Sequence, residues 1–385
     1  MNLTLHQLNR ATLARQLLLR REDLSVVEAV RRLVGLQAQE PASPYLALWN
    51  RVKSFDAAEF DRVLAQGQVY KSTLMRITLH NVAAEDYPTF YAAMQASLRA
   101  SRVHDKRFAP AGLPLEAVDP LLQELCGFLS QDRTEAEIVE WLAGKANPVP
   151  IPGDPKVAWW ALKTFGPWTR VPGEGPWAYP GDRYSLAPVF TEAKVSEVPF
   201  EASVQSLLLR YLAAYGPSSA QDFARFTLLR SPVVSAALKA SADRLVQLQG
   251  PEGEALYDLA GVELPEPDAS APARLLPLFD NLLLGHVHSS RVLPPAYRPR
   301  VSRVNGDLLP TVLVDGWVAG VWRVFGEGLE VTAFRKFTDD EWEAVANEAV
   351  ALRKFLATRE PRVFVRSHHW WDKNLPGEQT RIFAD

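Results

Sequence analysis

The chain has 385 residues, 47% of them hydrophobic and 23% charged, a balance that excludes an intrinsically disordered protein and provides for several folded modules. Cys126 is the one cysteine, which excludes an internal disulfide and a cysteine-based zinc site. The net charge of −3 argues mildly against a nucleic-acid partner, yet residues 1–107 hold 15 Lys+Arg against 10 Asp+Glu and the remainder 27 against 35, so a basic N-terminal part joins an acidic body.

The first twenty-one residues are amphipathic, with Arg10, Arg15, Arg20 and Arg21 spread through them, and lack the apolar core of a signal peptide. No apolar run approaches the ~18 residues of a membrane span, so a cytoplasmic protein is expected. Apolar spacing from Leu5 to Leu17 predicts a half-buried helix. Ser25 reads as an N-cap, with Glu28 completing a capping box, for a helix through Val26, Val30 and Val34 that ends near Gly35. Pro41 and Pro44 bar an easy continuation. A second capping signal starts at Ser54-Phe55-Asp56. Residues 69–82 partly alternate apolar and polar, which predicts a strand or hairpin.

Helices followed by strands is the winged-helix order. After a linker at 108–115 it repeats, with helices at Asp119–Leu129, from Thr134, and at Lys156–Phe165, then a turn-rich hairpin from Trp168 to Leu186. It repeats again after Pro199, with helices at Ser203–Tyr215, from Ser218, and at Ser231–Leu245, then a short wing from Val246 to Leu259. From about Ala271 strands take over. Arg300–Val304 precedes Asn305-Gly306 and Pro310–Val314 precedes Asp315-Gly316, both dipeptides that favour a type I′ turn. Trp317–Val324 follows, and a helix from Asp339 to about Thr358 closes the chain. The expected fold is α+β: three tandem winged-helix domains at 1–107, 116–190 and 200–260, then a β-rich domain at 271–385. Winged helices point first to DNA, with protein interaction as the alternative.

Walker, GxGxxG, GxSxG and HExxH motifs are absent. His286-Val287-His288 offers two ligands on one strand face and His368-His369 diverge, so ordinary polar histidines, no metal and no cofactor are expected. The notable spot is Gln37-Ala38-Gln39-Glu40, where the capped helix must end. On a helix the two glutamines would point about 200° apart. On an extended exit they share one face, able to hold one water between two carboxamides, while Glu40 faces away as a structural residue. Gln247 and Gln249 show the same spacing in an ordinary wing, so spacing alone does not make a site.

The stretch Leu33–Val52 around those glutamines, with Leu74–His80, Phe279–Arg291 and Val314–Arg323, resembles in order the AlkZ-like family of bacterial winged-helix DNA glycosylases, that of azinomycin-resistance interstrand-crosslink enzymes. The resemblance spans nearly the whole chain. It implies tandem winged helices around a concave DNA channel and places the family's catalytic Gln-x-Gln on Gln37 and Gln39. This chain departs at Ile77, where the family often has Gly, and at His288-Ser289, where it often has Asp-Arg. The first bears on strand packing and the second on DNA contact there.

The implied partner is double-stranded DNA carrying N7-alkylated purines, with bulky adducts or interstrand crosslinks favoured, and a monomeric, monofunctional hydrolase is expected. No lysine nucleophile is apparent, although Lys71 stays open. Arg76 and His80, on the strand after the catalytic segment, are candidate DNA contacts, as are Lys71, Lys156, Lys163, Arg170 and Arg291. Structural alternatives are a surface ion pair for Arg76, a strand cap for His80 and a solvated helix face for Lys156 and Lys163. A non-enzymatic DNA-binding regulator is the rival reading of the whole chain.

Overall fold

The computed structural model describes residues 2–144, 151–179, 181–190, 199–373 and 375–384. Thr4 caps helix α1 (Leu5–Arg15) through a capping box with Gln7. Ser25 caps α2 (Val26–Arg32) by accepting from the Glu28 N–H, without the return bond expected of Glu28. The short strand β1 (Leu36–Gln37) leads to α3 (Ser43–Arg51), with Pro44 in its first turn, and to α4 (Ala57–Ala65), capped by Asp56. Strands β2 (Val69–Thr73) and β3 (Leu79–Ala83) form the predicted hairpin around a 3-10 turn at Met75–Ile77, and α5 (Tyr87–Val103) follows.

The second set is α6 (Val118–Phe128), β4 (Arg133–Thr134), α7 (Glu135–Ala143), α8 (Pro155–Phe165), β5 (Trp168–Arg170) and β6 (Arg183–Leu186). Pro180, inside the hairpin expected there, lies outside the described residues. The third set is α9 (Phe200–Tyr215), α10 (Ala220–Thr227), α11 (Ser231–Ala240), β7 (Leu245–Gln249) and β8 (Ala255–Leu259). Then come β9 (Arg274–Leu276), α12 (Arg298–Val301), β10 (Thr311–Val314), β11 (Trp317–Phe325), β12 (Gly328–Ala333), α13 (Asp339–Ala357), α14 (His369–Asp372) and β13 (Gln379–Phe383). The fold mixes helix and sheet, and no described helix is long and apolar enough to cross a membrane.

Strands of the first two sets are one sheet, in the order β1-β3-β2-β5-β6-β4. The join is antiparallel pairing of β2 with β5, with Lys71 opposite Arg170. The β7–β8 hairpin stands apart, and the C-terminal strands form a sheet in the order β13-β12-β11-β10-β9. Its β10–β11 turn uses Asp315 (φ 47°) and Gly316 (φ 77°), the two positive φ values a type I′ turn needs.

Burial follows the same joins. One apolar core runs from Val34 and Tyr70 through Trp159 and Phe165 to Tyr211 and Phe226. A second joins Val30, Leu46 and Phe60 to Trp322 and Trp342 of the C-terminal part. Helix α1 ties these parts together by polar bonds: both Arg15 Nη atoms reach Asp258 at 2.6 and 2.7 Å, and Gln16 Nε2 donates to the Ala214 carbonyl at 2.8 Å. Packing therefore crosses every boundary expected from the sequence.

Some local expectations are corrected. The strand expected at 300–304 is instead the short helix α12 and a turn, because Pro299 in its first turn has helical φ and no N–H to give a ladder. Helix α5 and strands β9, β12 and β13 had no counterpart in the sequence reading.

Candidate active site

The exit from α2 is set by two left-handed residues, Val34 (φ 57°) and Gly35 (φ 87°), which turn the chain sharply into β1. A Cβ on Gly35 would lie 2.7 Å from Val82 Cγ1 and 3.0 Å from the Asn81 carbonyl oxygen, so the approach to β3 requires glycine. Leu36 then pairs with Asn81, Gln37 with His80, and the Ala38 N–H donates to the Leu79 carbonyl at 2.7 Å. Strand β1 ends at Gln37, and Gln39 follows at the bend just beyond it, where its side chain reaches back to the start of β3.

The other side of β1 is held from 244 residues away. Asn281 Oδ1 accepts from the Gln37 N–H at 3.0 Å, and its Nδ2 donates to the Gly35 carbonyl at 2.5 Å. One buried side chain thus grips the backbone on both sides of Leu36. Its neighbour Asp280 makes a two-pronged pair with Arg51 at 2.7 and 2.9 Å, both side chains fully buried, and caps the Leu282 N–H.

Gln37 is buried. Its Oε1 accepts from Arg76 Nη2 at 2.8 Å, and the same Nη2 lies 3.1 Å from His80 Nε2. His80 Nδ1 sits 3.0 Å from the Thr78 carbonyl, which can only accept. Nδ1 therefore carries the proton, and Nε2 is left to accept from Arg76. Burial and the Arg76 charge push His80 down to about 3, consistent with a neutral ring. Burial also lowers Arg76, to about 10. Arg76 (φ 54°) and Ile77 (φ 59°) are both left-handed, which aims the guanidinium back at Gln37. Glycine would take that conformation more easily than the β-branched Ile77.

Gln39 is exposed, and its Oε1 accepts from the Leu79 N–H at 3.3 Å. Arg76 and a backbone N–H only donate, so both amides must turn their oxygens inward. Each oxygen keeps one lone pair, and among the described residues neither amino group has a protein partner. Glu40, next in the chain, pairs with Arg366, which also reaches Asp307 at 3.2 Å.

Gln39 opens onto a cavity of about 170 Å³ whose walls include Lys71, Arg102, Trp160, Lys163 and Arg170, with no Asp or Glu in its lining. Lys71 is 4% exposed, its Nζ 4.5 Å from the centre of the Tyr179 ring. Burial and the nearby Arg170 charge lower Lys71 to about 7. The Arg170 guanidinium lies 4.8 Å from the Tyr184 ring centre. Lys163 is matched by Glu135, 3.1 Å to each carboxylate oxygen. Arg102 and Arg107 lie over Trp160 at 4.6 and 5.0 Å.

The expected site residues thus divide. Gln37, Gln39, Arg76 and His80 come together, with Lys71, Lys163 and Arg170 in the adjoining cavity. Lys156 is exposed near the start of α8 and does not line it. Direct DNA contact by His80 is corrected: at 1% exposure its ring nitrogens, among the described residues, meet Arg76 and the Thr78 carbonyl. Arg291 is likewise corrected, being buried with Nη1 donating to the Pro217 carbonyl at 2.8 Å and to Thr12 Oγ1 at 3.4 Å. Arg76 is half-buried and holds Gln37 instead of facing outward. His286 is enclosed between the Tyr215 carbonyl and Ser218 Oγ, and no group of three or more metal-ligating side chains occurs among the described residues. Sequence reasoning assigned no role to Asn281, Arg102 or Trp160. Asp280-Asn281 inside the apolar run Leu275–Leu284 was the available signal, since buried polar side chains need partners.

The model of the AlkZ-like DNA glycosylase family matches residues 30–355. The interstrand DNA cross-link repair glycosylase of Streptomyces sahachiroi is 28% identical over 349 residues, which is 88% of this chain and 93% of that protein. The solved structure of Streptomyces sahachiroi DNA glycosylase AlkZ superposes with a TM-score of 0.78 at 25% identity, covering 91% of this chain and 96% of the other.

Proposed function

The chain belongs to the AlkZ-like family of DNA glycosylases, enzymes that act on N-glycosyl bonds, and from that membership we propose that it hydrolyses N7-alkylated purines from duplex DNA with Gln37 and Gln39 as its catalytic pair. The observation that carries the reading is two carboxamides two residues apart, each anchored through its oxygen, with the second opening onto a cationic cavity that has no carboxylate in its lining.

Neutral amides suffice only if the leaving group leaves readily. An N7-alkylated purine carries a positive charge, and breaking its C1′–N9 bond returns the electron pair to the base and neutralises it. The sugar becomes oxocarbenium-like. A water then adds its oxygen to C1′ and releases one proton to solvent, giving the free alkylated base and an abasic site. The protein has to place that water and offer lone pairs to the developing charge.

The two glutamines divide this work. Gln37 Oε1 is held by a guanidinium, which draws electron density from the amide and makes its amino group the better donor. Gln39 Oε1 is held by a neutral N–H and opens to the cavity, so it keeps the more basic lone pair and orients the water. Likeness to an interstrand DNA cross-link repair glycosylase favours a bulky adduct or a crosslink as the lesion. Every group named comes from a single chain, so a monomer is sufficient, and the substrate places the work where the DNA is. The rival regulator gives way to the family's glycosylase activity.

The test is release of free base from duplexes carrying N7-methylguanine, a bulky N7 adduct or an N7–N7 crosslink, followed by cleavage at abasic sites. Gln37→Ala and Gln39→Ala are each expected to slow release by roughly a hundredfold. Full activity in both variants would remove the mechanism.

A further inference from the structure

Lys71 and Arg170 face each other across the β2–β5 join, and neither has a carboxylate within ion-pair distance among the described residues. Like charges opposed on neighbouring strands repel. Lys71 is almost wholly buried, yet among the described residues its ammonium has only the face of Tyr179 as a close partner. Arg170 lies over Tyr184, and its Nε is buried without an acceptor. Among the described residues the acid that acts on Lys71 is Glu40, and it is paired with Arg366. The other cavity lysine, Lys163, is matched by Glu135. Two unmatched cations therefore share the floor of a cavity that Gln39 also lines.

We infer that Lys71 and Arg170 seat one backbone phosphate of the lesion strand, the phosphodiester next to the sugar that the two glutamines serve. A phosphodiester carries one negative charge and two non-bridging oxygens, one for an ammonium and one for a guanidinium. Its arrival relieves the repulsion between the two cations. The ring faces of Tyr179 and Tyr184 hold the two cations, so the seat is defined before DNA binds. The inference rests on the glycosylase reading, because Gln39 is what ties this cavity to the lesion sugar.

The experiment uses the full chain and a duplex carrying a tetrahydrofuran abasic analogue, with each flanking phosphate replaced in turn by a neutral methylphosphonate. Binding is followed by fluorescence anisotropy over a salt series for the wild type, Lys71→Met and Arg170→Gln. One methylphosphonate position is expected to weaken the wild type roughly tenfold and the two variants less than twofold, and each variant to lower the salt slope by about 1. Losses in the variants equal to those of the wild type at every position would overturn the seat, as would absence of salt-dependent binding. If Lys71→Met melts early, Arg170→Gln, at a less buried position, carries the same comparison. Failure of the glutamine mechanism shows separately, as retained base release in Gln37→Ala and Gln39→Ala, because binding to the abasic analogue requires no catalysis.

Discussion

Two buried cations near the glutamine segment, Arg51 and Lys71, are treated by the protein in opposite ways. Arg51 is fully enclosed and fully answered: both Nη atoms meet Asp280, and its Nε donates to the Gln16 carbonyl at 2.9 Å. Lys71 is nearly as enclosed, but it meets an aromatic face and another cation. An answered buried charge is scaffold, since it holds α3 to the Asp280-Asn281 segment and needs nothing more. An unanswered one lowers stability until an anion supplies what is missing.

Breaking the answered pair gives the largest expected effect. Asp280→Ala leaves Arg51 buried without its carboxylate and is expected to cost about 3–5 kcal/mol, read as a lower urea midpoint. Asn281→Ala is expected to cost about 2–3 kcal/mol, because it strips partners from the Gln37 N–H and the Gly35 carbonyl. It also loosens β1, so base release at a temperature where the variant stays folded should fall too; unchanged release would separate the clamp from catalysis. Lys71→Met sharpens the contrast by moving stability the other way, with a gain of about 1 kcal/mol in thermal or urea melts while DNA binding weakens.

The last test is a pH dependence. Lys71 holds its proton to about 10.5 when unfolded and only to about 7 when folded. Between those values the unfolded chain binds more protons, so this group makes stability rise with pH across that window. Urea melts at pH 6, 8 and 10 should show that rise flattened in Lys71→Met relative to the wild type. Parallel curves for the two proteins would mean that Lys71 keeps an ordinary pKa.

What was legible in the sequence was local. Asp315-Gly316 announces its turn because the requirement for positive φ acts on two adjacent residues, and Thr338 with Glu341 caps α13 within a single turn. The extended glutamine segment followed from a helix that had to stop before Pro41. Pairings between distant residues were not legible. Nothing near Gln37 tells that Arg76 will reach back to it, since that depends on two consecutive left-handed residues without glycine at either. Lys71 read as a candidate DNA contact, with a nucleophile's role left open, and its opposition to Arg170 became visible only when β2 met β5. Arg291 read as a surface cation although α1 buries it.

The clamp on β1 also bears on when activity can arise. Gln37 is threaded early in synthesis, but the side chain that fixes its backbone emerges 244 residues later. A ribosome-bound chain that has not yet released Asn281 lacks the side chain that meets the Gln37 N–H and the Gly35 carbonyl. Full competence therefore waits for translation to pass the clamp, and fragments ending before it should lack working hydrolase activity toward the genome that encodes them.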